Sequence, residues 1–147
     1  MNQNLIAQSS VVVDAPAERV WQALISPPAI RQYMFGATVE TDWTAGSPIT
    51  WKGEWEGKRY EDKGVIVHVE PCRRLEYTHF SPRSGLPDRP EHYHTVTVEL
   101  SPEGRNTRVS LLQDHNATEE ARLHSERNWA AMLSGLKQYV ESDAPRD

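Results

Sequence analysis

Hydrophobic and polar positions alternate through the middle of the chain and fall into helical stripes near its two ends. "LIAQSSVVV", from Leu5 to Val13, predicts a first strand. In "DAPAERVWQALI" the apolar residues Val20, Trp21 and Leu24 recur at helical spacing; Pro16 suits a first turn, and Asp14 or Ala15 suits the cap. "SPP" stops that helix, and "AIRQYM" predicts one more short helical piece closed by Gly36. From Ala37 to His115 the period is two. "ITWKGEW", "RYEDKGVIVHVE", "RRLEYTHF", "HTVTVELS" and "TRVSLLQ" read as five more strands, with "SPEGRN" as the last hairpin. "NATEEARLHSERNWAAMLSGLKQYVE" then predicts a long helix, opened by Asn116 with Glu119 as a capping box or by Thr118 as the alternative cap. A run of strands closed by one long amphipathic helix is the pattern of an α+β domain.

Strand phase assigns the faces. Ile49, Trp51, Gly53 and Trp55 share one side of their strand, opposite Thr50, Lys52 and Glu54. Val65, Val67 and Val69, then Leu75, Tyr77 and His79, are expected to point inward, leaving His68, Glu76 and Thr78 outside. Asp62 shares phase with Tyr60 and joins the inner side if Gly64 is a bulge that reverses the phase. His92 and His94 run in phase with Val96, Val98 and Leu100, so His79, His92 and His94 could cluster at one end of the interior. On the long helix Trp129, Met132, Leu133, Leu136 and Val140 form one stripe, and its N-terminal continuation, Ser125 and Ala121, is small. The helix should therefore meet the sheet closely in its second half. A cavity is expected near its start, under the loops that include "SPRSGLPDRPE".

Length and composition narrow the classes. With 147 residues the chain is the size of one domain, expected over 1–142, with a frayed tail at 143–147. The net charge is −5 and the basic residues are scattered, which argues against nucleic acid as a partner. No apolar run reaches the roughly 20 residues of a membrane span, and the start lacks a signal peptide's basic and apolar blocks. With a single cysteine, the expectation is a reduced, cytoplasmic protein without an internal disulfide.

The cysteine invites a chemical reading, because Cys72 lies between His68 and His79. Strand phase puts the two histidines on opposite faces, Pro71 makes Cys72 a corner residue, and the spacing matches no usual zinc pattern, so no metal is expected. A histidine cluster at the cavity end could supply a general base, but no paired nucleophile stands out. Trp43, Trp51 and Trp55 are core residues or pocket wall, and Asp62 is either a solvated strand charge or a polar anchor.

"APAERVWQALISPPAIRQYM", "GVIVHVEPCRRLEYTHF", "TRVSLLQD" and "NWAAMLSGLKQYV", in this order and spacing, resemble the START/Bet v 1-like superfamily, and within it the branch named after the activator of the Hsp90 ATPase. The resemblance covers nearly the whole chain. It implies a helix-grip fold: a curved antiparallel sheet of about six to seven strands around the C-terminal helix, with one or two short helices after strand 1. Members of this superfamily bind lipids, hormones or polyketides, some catalyse cyclisation or hydration, and others assist a chaperone. The expectation is a domain that binds a small, largely apolar or amphipathic molecule, with no cofactor. Its pocket would be lined by Trp51, Trp55, Tyr77, His79, His94, Val96, Ser125 and Trp129, with Asp62 as a polar anchor. Two alternatives stay open. One is a cyclase, hydratase or hydrolase using the His and Asp groups; the other is a chaperone-assisting module, which would expose a contiguous apolar patch.

Overall fold

The computed structural model describes residues 5–55, 57–82 and 85–142. Strand β1 (Leu5–Val13) is followed by helices α1 (Ala17–Leu24) and α2 (Pro27–Tyr33). Strands β2 (Thr38–Glu40), β3 (Pro48–Trp55), β4 (Lys58–Glu70), β5 (Arg74–His79), β6 (His94–Glu103) and β7 (Asn106–Asn116) come next, and helix α3 (Glu119–Ser142) closes the order. The strands form one antiparallel sheet in the order β1-β7-β6-β5-β4-β3-β2. The expected helix-grip α+β fold is present. The seventh strand is β2, too short for its alternation to be read.

The inner face carries the core. Ile49 and Trp51, Ile66, Leu75 and Tyr77, Val96, Val98 and Leu100, and Val109 and Leu111 are buried against Met132, Leu133, Leu136 and Val140 of α3. The second half of α3 is thus the clamp that its bulky stripe implied. α2 packs on α3 where Gly135 is small enough to admit Tyr33, whose hydroxyl donates to the Ala23 carbonyl at 3.0 Å.

The phase of β4 differs from expectation. Val65 and Val67 are 43% and 46% exposed, and Ile66 between them is buried. The pairing with β5 shifts between Ile66 and His68, so a bulge at Val67 returns Val69 to the inner side opposite Leu75. Three valines at period two concealed this, because an alternation broken by one extra residue cannot be seen in an all-apolar run. Gly64 does not reverse the phase; Asp62, Gly64 and Ile66 all lie inward because that stretch of β4 alternates regularly. His68 is outside as expected, beside Glu70.

The edge of β1 looks open in the sequence, as though it could pair with a second copy. α3 closes it. Glu126 accepts from the Gln8 N–H at 3.1 Å, Glu141 accepts from the Asp14 N–H at 2.8 Å, and Lys137 donates to the Val12 carbonyl at 2.9 Å. Charged side chains thereby fill edge groups that another strand would need. The cap of α3 is Thr118, whose hydroxyl accepts from the Ala121 N–H at 3.0 Å. Asn116 is buried and does other work. No helix among the described residues is long and apolar enough to cross a membrane.

Candidate functional site

The sheet register brings three of the expected residues together. His79 on β5 lies opposite His94 on β6, with ring centroids 6.4 Å apart and nearly parallel planes. Asp62 reaches across from β4, its Oδ2 2.8 Å from His79 Nε2. Trp51, directly opposite Asp62 on β3, sets its ring edge-on to His79 at 5.1 Å and tilts against Tyr77 at 5.2 Å. The side chains of His79 and Asp62 are 25% and 16% exposed, so the pair is mostly withdrawn from water without being sealed.

Hydrogen-bond chemistry fixes the tautomers. A carboxylate only accepts, so His79 Nε2 carries a hydrogen and, in the neutral ring, Nδ1 is the free base. That Nδ1 is buried and without a hydrogen-bond partner, as is Asp62 Oδ1. His94 Nδ1 lies 2.8 Å from the Asp114 carbonyl, which likewise only accepts. Neutral His94 therefore keeps Nε2 as an acceptor. Burial pushes the His94 pKa below its ordinary value, and neighbouring His79 pushes the same way, while the Asp114 carbonyl pulls against them. Burial also raises the Tyr77 phenol far above its usual range, so it stays protonated.

The His94 shift has a consequence for stability. Unfolding returns His94 to its ordinary pKa near 6.5, so below that pH the unfolded chain binds more protons than the folded one. The contribution is full above about pH 6.5 and is lost as pH falls toward the folded value. His79, Asp114 and His115 are the titratable groups that act on it. A urea midpoint that declines from pH 7.5 to pH 5, and declines less in His94→Gln, is the expected result; equal slopes would remove His94 from the acid response.

The remaining polar groups of the inner face sit between β7 and the first half of α3. Trp129 Nε1 donates to Gln113 Oε1 at 2.8 Å, and Ser125 Oγ donates to Asn116 Oδ1 at 3.0 Å. Asn116 Nδ2 donates to the carbonyls of Leu5 and Gln113. Gln113 pairs with Val96, which pairs in turn with Tyr77, so these residues share the inner side with the histidines. Gln113 and Asn116 are the residues that sequence reading missed. Gln113 was legible, being in phase with Thr107, Val109 and Leu111; Asn116 was hidden by its resemblance to a helix cap.

Other expectations fare differently. His92 is not in the strand; it lies in a 3-10 turn at Pro90–His92, with Nδ1 2.7 Å from the Pro87 carbonyl, away from the cluster. Proline at 90 and the turn break the phase that "EHYHTVTVEL" suggests. Trp55 ends β3, but its side chain lies outside the described residues, as does the 143–147 tail. Cys72 takes a positive φ of 66° at the β4–β5 corner and packs against the core. Among the described residues no group of His, Cys, Asp and Glu could hold a metal ion.

Pro82, Leu86 and Asp88 of the "SPRSGLPDRPE" segment line an open pocket of about 400 Å3 with Glu61, Lys63 and Phe80, on the outer side of the sheet and away from the expected position at the start of α3. Phe80 faces outward because it pairs with Lys63, and Tyr93 stacks on it with ring centroids 5.0 Å apart. The ion pair of Lys63 with Asp88, and the Tyr93 hydroxyl donating to Asp88 at 2.6 Å, hold the loop there. A smaller pocket of about 160 Å3 lies among α1, α2 and the end of α3, beside Arg19, Ser26 and Tyr139.

Comparison with known proteins agrees with this architecture. The solution structure of ChR145 from Cytophaga hutchinsonii is 51% identical, covers 97% of both chains and superposes with a TM-score of 0.84. DynU16, from the dynemicin biosynthetic locus, gives a TM-score of 0.79 at 19% identity over 97% of this chain and 49% of its own. Ara h 8.0201 gives 0.76 at 10% identity over 96% of this chain and 100% of its own. At such low identity the last two show the fold alone. No curated protein matches. The family described as "Activator of Hsp90 ATPase homolog 1-like protein" matches residues 14–141, and the chain belongs to that family.

Proposed function

We propose that the protein binds a small, largely apolar molecule between the inner face of the sheet and the first half of α3, and that this molecule presents a hydrogen-bond donor to Asp62, His79 and His94. One observation carries the reading: the donors and acceptors at this end of the interior do not balance. The N–H and O–H groups of Trp129, Ser125 and Asn116 are spent on internal partners, and so are His79 Nε2 and His94 Nδ1. Asp62 Oδ1 and, in the neutral ring, the acceptor His79 Nδ1 are buried and left over. A buried acceptor without a partner is costly, so a ligand hydroxyl placed there recovers free energy that a carbonyl could not. Trp51 and Tyr77 supply the apolar wall. The family fold is consistent with this use.

The alternative of a chaperone-assisting module calls for one exposed apolar patch. Among the described strand residues of the outer face, the exposed apolar ones fall into two groups, Val65 with Val67 on β4 and Ile6 with Leu112 on β1 and β7, while Leu86 of the long loop lies on the same side at the outer pocket. Thr78 and Glu76 of β5 and Thr95 and Thr97 of β6 lie between them. That division favours the binding reading.

Native mass spectrometry of protein purified from cell extract is expected to show a co-purifying small molecule. A His79→Gln/His94→Gln double variant should lose that load, and Ser125→Trp should block its uptake while the domain stays folded by circular dichroism. Unchanged loading in both variants would place the ligand elsewhere.

A further inference from the structure

We propose that Asp62 and His79 form a general base: His79 Nδ1 takes the proton of a weakly acidic hydroxyl on the ligand, a phenol or an enol, and the site holds that ligand as its anion. The proposal rests on the binding reading above and extends it from recognition to proton transfer. The geometry supports it in three ways. The carboxylate contacts the imidazole on the nitrogen remote from the free base, at 2.8 Å. A proton arriving at Nδ1 therefore produces an imidazolium already joined to its counter-charge by a charge-assisted hydrogen bond. The same contact fixes the tautomer that leaves Nδ1 as the acceptor, and it strengthens Nδ1 as a base. Second, both groups are largely withdrawn from water, so an anion–imidazolium–carboxylate row of alternating charge is weakly screened. Third, the groups on the inner side of the neighbouring elements, of which Trp51 and His94 touch the His79 ring, do not compete for its proton. Trp51 on β3 has no base. Tyr60 on β4 and Tyr77 on β5 have phenols that burial keeps protonated, and His94 on β6 is held toward its neutral form. Gln113 of β7 and Ser125 and Trp129 of α3 are uncharged and already paired.

The step balances without a co-reactant. The ligand O–H bond breaks and its electron pair stays on oxygen; an N–H bond forms at His79 Nδ1; nothing is oxidised or reduced. The flat wall of Trp51 and Tyr77 adds a preference for a planar, conjugated skeleton, the setting in which a hydroxyl is acidic enough to lose its proton to imidazole.

Umbelliferone, a planar phenol whose neutral and anionic forms have separate fluorescence excitation bands, tests this directly, with its methyl ether as a control that has no proton to lose. Below the pKa of the free dye, the wild-type protein is expected to raise the anion-to-neutral ratio of the bound dye about tenfold, one pKa unit. His79→Gln and Asp62→Asn should return the band ratio of whatever dye they still bind, read at saturation, to the solution value. Asp62 is a positioning residue here, and the ratio at saturation is a readout that a merely structural role would not move. If both dyes bind the wild-type protein and the band ratio equals that in solution, the general base is refuted and the binding reading stands. If neither dye binds, as judged by tryptophan quenching, both fall. The wild-type measurement decides without any variant, so a substitution that fails to fold does not protect the idea.

Discussion

Gly64→Ala is expected to destabilise the domain by about 3 kcal/mol or more, roughly 10 °C in melting temperature at this chain length. A Cβ built on Gly64 would lie 1.7 Å from the carbonyl oxygen of Thr78 and 2.6 Å from its carbon. Both atoms are backbone, so no rotamer change can relieve the overlap, and β4 would have to move away from β5. Here the two strands pass without the usual ladder bond: the Val65 N–H is met by the Thr78 hydroxyl at 2.9 Å, between the regular pairs Lys63 with Phe80 and Ile66 with Tyr77. Gly64 has an ordinary negative-φ backbone, so the cost is steric alone. The same crossing sets the distance between Asp62 on β4 and His79 on β5. Any Gly64→Ala protein that still folds should therefore bind ligand less well than wild type. Urea unfolding of the variant checks the first part, and a loss below about 0.5 kcal/mol would show that β4 can shift freely there.

This crossing also marks where sequence reading stopped. The alternation of "ITWKGEW" and "HTVTVEL" was readable because one side of each strand is wet, and it correctly gave Trp51, His94 and Val96 as inner residues. "GVIVHVE" is apolar at four of seven positions, so periodicity could not say which valine stood inside, and the answer depended on a bulge set by contacts with β5. Asp62 was expected inside only if Gly64 reversed the phase; it lies inside without any reversal, because Val65 and Val67, expected inward, are outside. The pairing of Asp62 with His79 follows from registers of β3, β4 and β5 that no local pattern encodes. "SPRSGLPDRPE" was legible as a long loop, but the side of the sheet on which its residues Pro82, Leu86 and Asp88 lie follows from Phe80, whose outward phase is set by its partner Lys63.

Leu136→Ala is expected to cost about 2–5 kcal/mol, the range for truncating a fully buried leucine, because Leu136 is 0% exposed and stands between Met132, Leu133 and Val140 in the clamp of α3. The first half of the same helix should respond differently. Trp129→Phe keeps most of the ring but removes the Nε1 donor, leaving the buried Gln113 Oε1 without its 2.8 Å partner, at about 1–3 kcal/mol. The free Gln113 oxygen is then one more acceptor beside Asp62 and His79, so this variant should also change which ligands are taken up. Leu136→Ala, measured where it remains folded, should leave affinity unchanged, because Leu136 lies about two helical turns beyond Trp129, in the clamp half of α3. Denaturant midpoints together with ligand titrations separate the two outcomes. If Leu136→Ala weakens ligand binding as much as it weakens the fold, the two halves of α3 are not independent. The site would then extend along the whole helix, past the aromatic wall of Trp51 and Tyr77 and into the core.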